Sequence, residues 1–142
     1  MRHENPSDQE LYAILDEAET IAVVGASSNP ARPSHGIMQR LLAAGYRVFP
    51  VNPNEREVLG QKAYAKLSDV PSKIDIVDVF RRAEHTPQIA DEAAAISART
   101  LWLQSGVWND EAADRAKRQG LTVVMDACTG ALLSLLRVPK KR

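Results

Sequence analysis

Thr20-Ile21-Ala22-Val23-Val24-Gly25, then Ala26-Ser27-Ser28-Asn29-Pro30-Ala31-Arg32-Pro33-Ser34, then a helical run from His35 to Ala44: on this stretch the fold turns. An apolar, β-branched run that ends in glycine signals a buried strand. Beyond the turn, Ile37, Met38, Leu41 and Leu42 recur at helical spacing, and Gly45 stands where a helix C′ glycine belongs. Strand, small-residue turn, helix is the phosphate-binding corner of a doubly wound α/β fold.

The chemistry of such a corner follows from its backbone. A helix start leaves N–H groups unpartnered and carries partial positive charge, which favours an anion. Gly25 permits a turn that a β-carbon would obstruct. Ser27, Ser28 and Ser34 offer hydroxyl donors, and Arg32 a planar fork for two phosphate oxygens. The plainer alternative is a loop whose serines only cap the helix, with Ser34 as N-cap. The dinucleotide fingerprint Gly-x-Gly-x-x-Gly is absent, because Ser27 and Pro30 replace its second and third glycines. The acid that should follow the second strand to hold a ribose hydroxyl is missing too; the chain reads Val51-Asn52-Pro53. The expected ligand is phosphorylated and is not a dinucleotide held in the usual way.

Outward from the corner, Ser7 to Ala18 reads as a leading helix with a Ser7–Glu10 capping box. Tyr46 to Val51 is the second strand, with Pro50 suggesting that it leaves its ladder there. Residues 55 to 70 read as irregular, with a turn at Gly60. Ile74 to Phe80 is the third strand, and Thr86-Pro87 opens a helix with threonine as cap. Thr100 to Leu103 is the fourth strand, Asn109 caps a helix that Gly120 ends, and Leu121 to Met125 is the fifth. A closing helix spans about Ala131 to Leu136. The alternation gives an α/β, Rossmann-like, doubly wound parallel five-stranded sheet. The expected strand order is 3-2-1-4-5. One domain is expected over 1–142: an N-terminal helix over 7–18, a core over 20–130, and a C-terminal helix and basic tail over 131–142.

The balance of 18 Lys and Arg against 18 Asp and Glu argues against a nucleic-acid-coating surface. One cysteine excludes an intrachain disulfide. No segment reaches transmembrane length, and the start lacks a signal peptide's apolar core, so a cytoplasmic protein without membrane contact is the expectation.

In an open parallel sheet, ligands bind beyond the carboxyl ends of the strands. Those ends read Gly25-Ala26-Ser27-Ser28, Asn52-Pro53, Phe80-Arg81-Arg82, Gln104-Ser105-Gly106 and Asp126-Ala127-Cys128. All five carry small, polar or cationic groups suited to an elongated polar ligand. Arginines at separate ends, Arg32 with Arg81 or Arg82, suit a ligand with phosphates in two places. Against this, Arg81 and Arg82 could simply pair with acids such as Glu84 at the surface. Asp78 falls inside an apolar strand, where an unpaired carboxylate is costly, and is expected to brace a loop's amides. His35 is a possible phosphate contact; His85 reads as a loop residue and His3 as part of the tail. Cys128 reads as a small buried hydrophobe, and Trp108 as the apolar residue before the Asn109 cap. Walker, HExxH, CxxC and GxSxG motifs are absent. Binding groups without a nucleophile suggest a carrier or sensor more than a catalyst.

Six blocks taken together resemble the small stand-alone CoA-binding proteins, a family similar to the CoA-binding domain of the succinyl-CoA ligase α subunit. They are Val23-Val24-Gly25-Ala26-Ser27, Gly45-Tyr46, Pro50-Val51-Asn52-Pro53, Asp78-Val79-Phe80-Arg81-Arg82, Trp102-Leu103-Gln104-Ser105-Gly106 and Val124-Met125-Asp126-x-Cys128. The resemblance implies a Rossmann-like fold and coenzyme A, or an acyl-CoA, as ligand. It would place phosphates near Ala26 to Ser28 and Arg32-Pro33-Ser34. Asn52-Pro53 and Phe80-Arg81 would line the nucleotide, and Gln104-Ser105-Gly106 the pantetheine arm. Two departures fall on the last loop: Ala127 stands where the family often has a large or basic residue, and Thr129-Gly130-Ala131 replaces an expected acid. The ligase's second domain and phosphohistidine loop have no counterpart in these 142 residues, so ligase activity is not expected to carry over. An NAD(P)-binding redox enzyme or sensor is the alternative, and an interaction protein merely stabilised by its nucleotide is a third reading.

Overall fold

Apolar alternation dictates the layering. In a computed structural model, which describes residues 2–141, Thr20–Val24 forms β1. Ile21 and Val23 face one side of the sheet, and Ala22 and Val24 the other. On the first side lie α1 (Asp8–Glu17), α2 (Pro33–Ala43) and α5 (Thr129–Leu135), with Leu15, Met38, Leu41 and Trp102 fully buried between them and the sheet. On the second lie α3 (Thr86–Ala95) and α4 (Asp110–Arg118), whose alanines 90, 93, 112, 113 and 116 let the two helices approach closely. Both faces are covered, as a parallel sheet requires.

The strands β2 (Arg47–Val51), β5 (Ile76–Val79), β6 (Thr100–Leu103) and β7 (Thr122–Val124) join β1 in one parallel sheet, ordered β2-β1-β5-β6-β7. The expected fold class holds; the expected order does not. Counting only these five, the sequence is 2-1-3-4-5 rather than 3-2-1-4-5, and the reason is Pro50. Val51 O accepts from Gly25 N–H toward β1, whereas Pro50 O accepts from Tyr64 N–H on the opposite side, both at 2.9 Å. The Pro50 nitrogen therefore faces away from β1 and has no proton to give. A strand there would lose a ladder bond, so β2 is an edge and β5 pairs with the other side of β1. Direction reverses between β1 and β5, and that is the switch point.

The stretch read as irregular holds a two-residue hairpin, β3 (Glu57–Val58) with β4 (Gln61–Lys62), turning at Gly60, and a 3₁₀ turn at Leu67–Asp69. Ser7 caps α1 with the expected reciprocal box, and Asn109 caps α4 by accepting from Ala112 N–H. Two caps differ from expectation. Arg32, not Ser34, is the N-cap residue of α2, because Pro33 already has a helical first position's fixed φ. His85 precedes α3, while the Thr86 hydroxyl turns back to Ala83 O at 2.6 Å.

His3 is not a loose tail residue: it is buried beside Trp108, ring centroids 5.6 Å apart. Two residues on, the Asn5 carboxamide gives 2.7 Å to Met125 O and accepts 2.9 Å from Met125 N–H, completing the outer side of the chain just past β7. At the other terminus Lys141 N–H bonds Ala44 O at 2.7 Å; Arg142 of the basic tail lies outside the described residues.

Candidate functional site

Gly25 begins the site. Its φ is +91°, and a β-carbon there would lie 2.5 Å from Phe80 O. Only glycine lets the turn after β1 pass against the end of β5. The loop that follows is pinned from three sides. Asn52 Nδ2 donates to Ala26 O at 2.8 Å, His35 Nδ1 lies 3.0 Å from Ser27 O, and Glu55 accepts from both Ser28 N–H and Ser28 Oγ. These two bonds hold the Glu55 carboxyl below its usual range. Ser28 is therefore committed to Glu55, and Asn52 and His35 to the backbone. These side chains shape the loop.

Over the carboxyl edge, on the α2 side, lies a cleft of about 590 Å³. Its walls are Gly25, Ser27, Arg32, Pro33, Ser34 and Ile37 from the corner, Asn52 from β2, and Phe80, Arg81 and Arg82 after β5. Gln104, Ser105 and Val107 after β6 complete it. Eleven of the fifteen residues expected from the sequence thus share one cavity. Ala26 is fully buried beneath the loop. Ser28 turns to Glu55, Gly106 gives its N–H to Asp126 Oδ1 at 2.6 Å, and Pro53 lines a second hollow. Sequence reasoning missed Ile37 and Val107 as lining; Ile37 read only as helix core.

The second hollow, about 420 Å³, shares Gly25, Asn52 and Arg81 with the first. Its floor is Val24, Val51, Leu67 and Ile89, with Lys66 and Glu92 also lining it. Three guanidinium groups and no carboxylate line the main cleft, so its field favours an anion. Arg82 stands 3.9 Å from Glu84, both largely exposed, a pairing worth about 0–1 kcal/mol that leaves it available. The β1–α2 helix start has no side-chain cap. Among the described residues no three His, Cys, Asp or Glu gather as a metal site, and no helix is long and apolar enough to cross a membrane.

Beneath the cleft three buried polar residues meet. Asp78 on β5 accepts from Gln104 Nε2 through Oδ1 and from Thr129 Oγ1 through Oδ2 at 3.0 Å; Gln104 Nε2 also reaches Thr129 Oγ1 at 3.2 Å. Asp78 braces side chains here, not the loop amides expected. Burial raises its carboxyl to about 7, although both hydrogen bonds pull the other way. Cys128 is half-buried and caps α5, its Sγ accepting from Ala131 N–H at 3.4 Å.

Comparison with known proteins agrees with this architecture. YneT, an uncharacterized protein of Bacillus subtilis, is 44% identical over 125 residues, 88% of this chain and 93% of that one. The acetate–CoA ligase (ADP-forming) II of Archaeoglobus fulgidus is 25% identical over 126 residues, 80% of this chain but only 19% of the enzyme. The structure of a hypothetical protein from Pyrococcus horikoshii superposes with a TM-score of 0.90 at 35% identity, over 96% of this chain and 99% of that one. The sequence model described as CoA binding domain matches residues 19–134. With the parallel sheet, the glycine corner and the arginine-lined cleft in place, that match makes this chain a member of the CoA binding domain family.

Proposed function

We propose that the cleft binds coenzyme A or an acyl-CoA, phosphates first, and performs no chemistry on it. The observation that carries this reading is the convergence of Arg32, Arg81 and Arg82 on a cavity whose lining contains no acid. A diphosphate would sit at the Ser27–Ser34 turn, where Ser27 and Ser34 hydroxyls and the uncapped helix start are available. A second phosphate would meet Arg81, which borders both hollows, with Asn52 and Pro53 beside the nucleotide. The arm would run past Gln104 and Ser105. Gln104 Oε1 is buried and has no partner among the described residues, which fits a ligand that brings amide N–H groups.

The lining has no carboxylate, imidazole, thiol or amine, and so no nucleophile–base pair in reach of a ligand. This supports a carrier or sensor. Membership in the family and the 25% identity to an acetate–CoA ligase support the same ligand, while only a fifth of such an enzyme corresponds to this chain. The NAD(P) reading gains nothing: the residue after β2 is Asn52, whose amide is occupied by Ala26 O.

Isothermal titration with CoA, CoA lacking its 3′-phosphate, NAD and ATP tests the proposal. CoA should bind most tightly, and removal of the 3′-phosphate should weaken it at least tenfold. Equal, weak binding of all four would overturn it.

A further inference from the structure

Gln104 is 4% exposed, and its Oε1 is one of two buried side-chain atoms left without a partner among the described residues. Its Nε2 is engaged twice, by Asp78 Oδ1 and Thr129 Oγ1, while the single Thr129 hydroxyl proton goes to Asp78 Oδ2. An ionised carboxylate only accepts, so it can hold only the donor end of the carboxamide. The oxygen is then left over, on a residue that walls the main cleft. An unpaired buried acceptor is costly unless something satisfies it.

We infer that Asp78 is a positioning residue: ionised, it locks the Gln104 carboxamide with its oxygen free to accept an N–H from the ligand's amide-bearing arm, and neutral, it takes that oxygen for itself. The inference rests on the CoA reading of the cleft and adds to it a specificity device for the arm. A protonated Asp78 carries a hydroxyl that needs an acceptor, and a turned-over Gln104 supplies one. The arm then faces an amide donor where it needs an acceptor. Binding of an amide-bearing ligand is thereby coupled to one proton.

Among the described residues no charged group adds to the burial and the two hydrogen bonds that set the Asp78 proton. Along the sheet its neighbours are Val23 on β1 and Trp102 on β6. From α2, Arg40 reaches across Gly130 to Ser134 Oγ at 2.8 Å, and His35 is taken by Ser27 O. From the last loop, the Cys128 thiol is taken by Ala131 N–H, and only the Thr129 hydroxyl meets the carboxylate. With burial raising Asp78 to about 7, the competent form rises from about a tenth to about nine-tenths of molecules between pH 6 and pH 8. Apparent affinity for the arm should rise about tenfold over that range.

The test titrates CoA and 3′-phospho-ADP, which has no amide, into the wild type, Asp78→Asn and Gln104→Leu at pH 6, 7 and 8. The amide that Asp78→Asn introduces donates to Gln104 Oε1 at every pH, so that variant mimics the neutral acid, and its use as reference cancels titration of the ligand's own phosphates. The wild-type to Asp78→Asn affinity ratio for CoA should climb about tenfold from pH 6 to pH 8, and Gln104→Leu should track Asp78→Asn. The same ratio for 3′-phospho-ADP should stay within about twofold. A flat CoA ratio, or equal losses for both ligands, overturns the inference and leaves the CoA reading standing. If wild type binds neither ligand, both fall. Should the variants not fold, the wild type decides alone: its preference for CoA over CoA with both amides N-methylated must grow with pH, and a preference that does not grow overturns the inference.

Discussion

A buried carboxyl that meets only neutral partners should weaken the fold it belongs to when it ionises, and Asp78 allows this to be measured. Its carboxyl lies at about 7 in the fold against an ordinary 3.8, with burial as the main cause. Between those pH values the native state holds a proton that the unfolded chain lacks. Stability therefore falls as pH rises through that window, reaching a full penalty of about 4 kcal/mol above it, at 1.36 kcal/mol per pH unit. Asp78→Asn keeps the shape and has no proton to lose. At pH 5, already above the ordinary carboxyl value, it should exceed the wild type by about 1–2 kcal/mol, and at pH 8 by about 4 kcal/mol. Urea unfolding at pH 5, 6, 7 and 8, with unchanged m-value, reads the difference. Subtracting the variant removes the other titrations. His3, held low by burial, opposes the trend by losing stability as pH falls below 6.5. Glu10 and Glu55, held low by hydrogen bonds, lose theirs at lower pH still. A wild-type minus variant difference that does not change between pH 5 and pH 8 refutes the reasoning.

Other consequences are open to direct measurement. Arg32→Ala and Arg81→Ala should each weaken CoA binding by about 1.5–3 kcal/mol in calorimetry, the worth of a charged hydrogen bond, and Arg82→Ala should weaken it less. Gly25→Ala puts a β-carbon 2.5 Å from Phe80 O at a φ of +91°, and should lower stability in urea by at least about 2 kcal/mol while impairing binding. Leu135→Lys, at a position 75% exposed, should shift stability by less than about 0.5 kcal/mol in the same assay.

The layered fold was legible because its signals are local. Val23, Leu101 and Val123 lie in unbroken apolar runs, and Ser7, Asn109, Gly45 and Gly120 punctuate the helices within a few residues of their effect. Strand order was not legible, because it depends on which side of β2 the Pro50 nitrogen faces, and that requires the pairing itself. The β3–β4 hairpin was lost for want of length: two residues on each strand show no period. In the site, clustering of the strand ends followed from topology, which is why most expected residues line one cleft. The errors concern partners far along the chain. Ser28 read as a ligand donor, yet Glu55 lies 27 residues away and takes both its protons. Asp78 read as a loop brace, yet its partners are 26 and 51 residues distant. His3 read as tail because nothing near it in sequence predicts Trp108.

The two flanks of the sheet end differently from its middle, and this bears on how the molecule behaves in crowded solution. At one flank Pro50 withholds a proton and the Tyr64 segment takes its carbonyl; at the other, one asparagine side chain occupies both polar groups of Met125. A second molecule meeting either rim finds the hydrogen-bonding positions spoken for at these points. Growth of the sheet from chain to chain, the usual hazard of an open parallel array, is thus obstructed by single residues rather than by a covering domain.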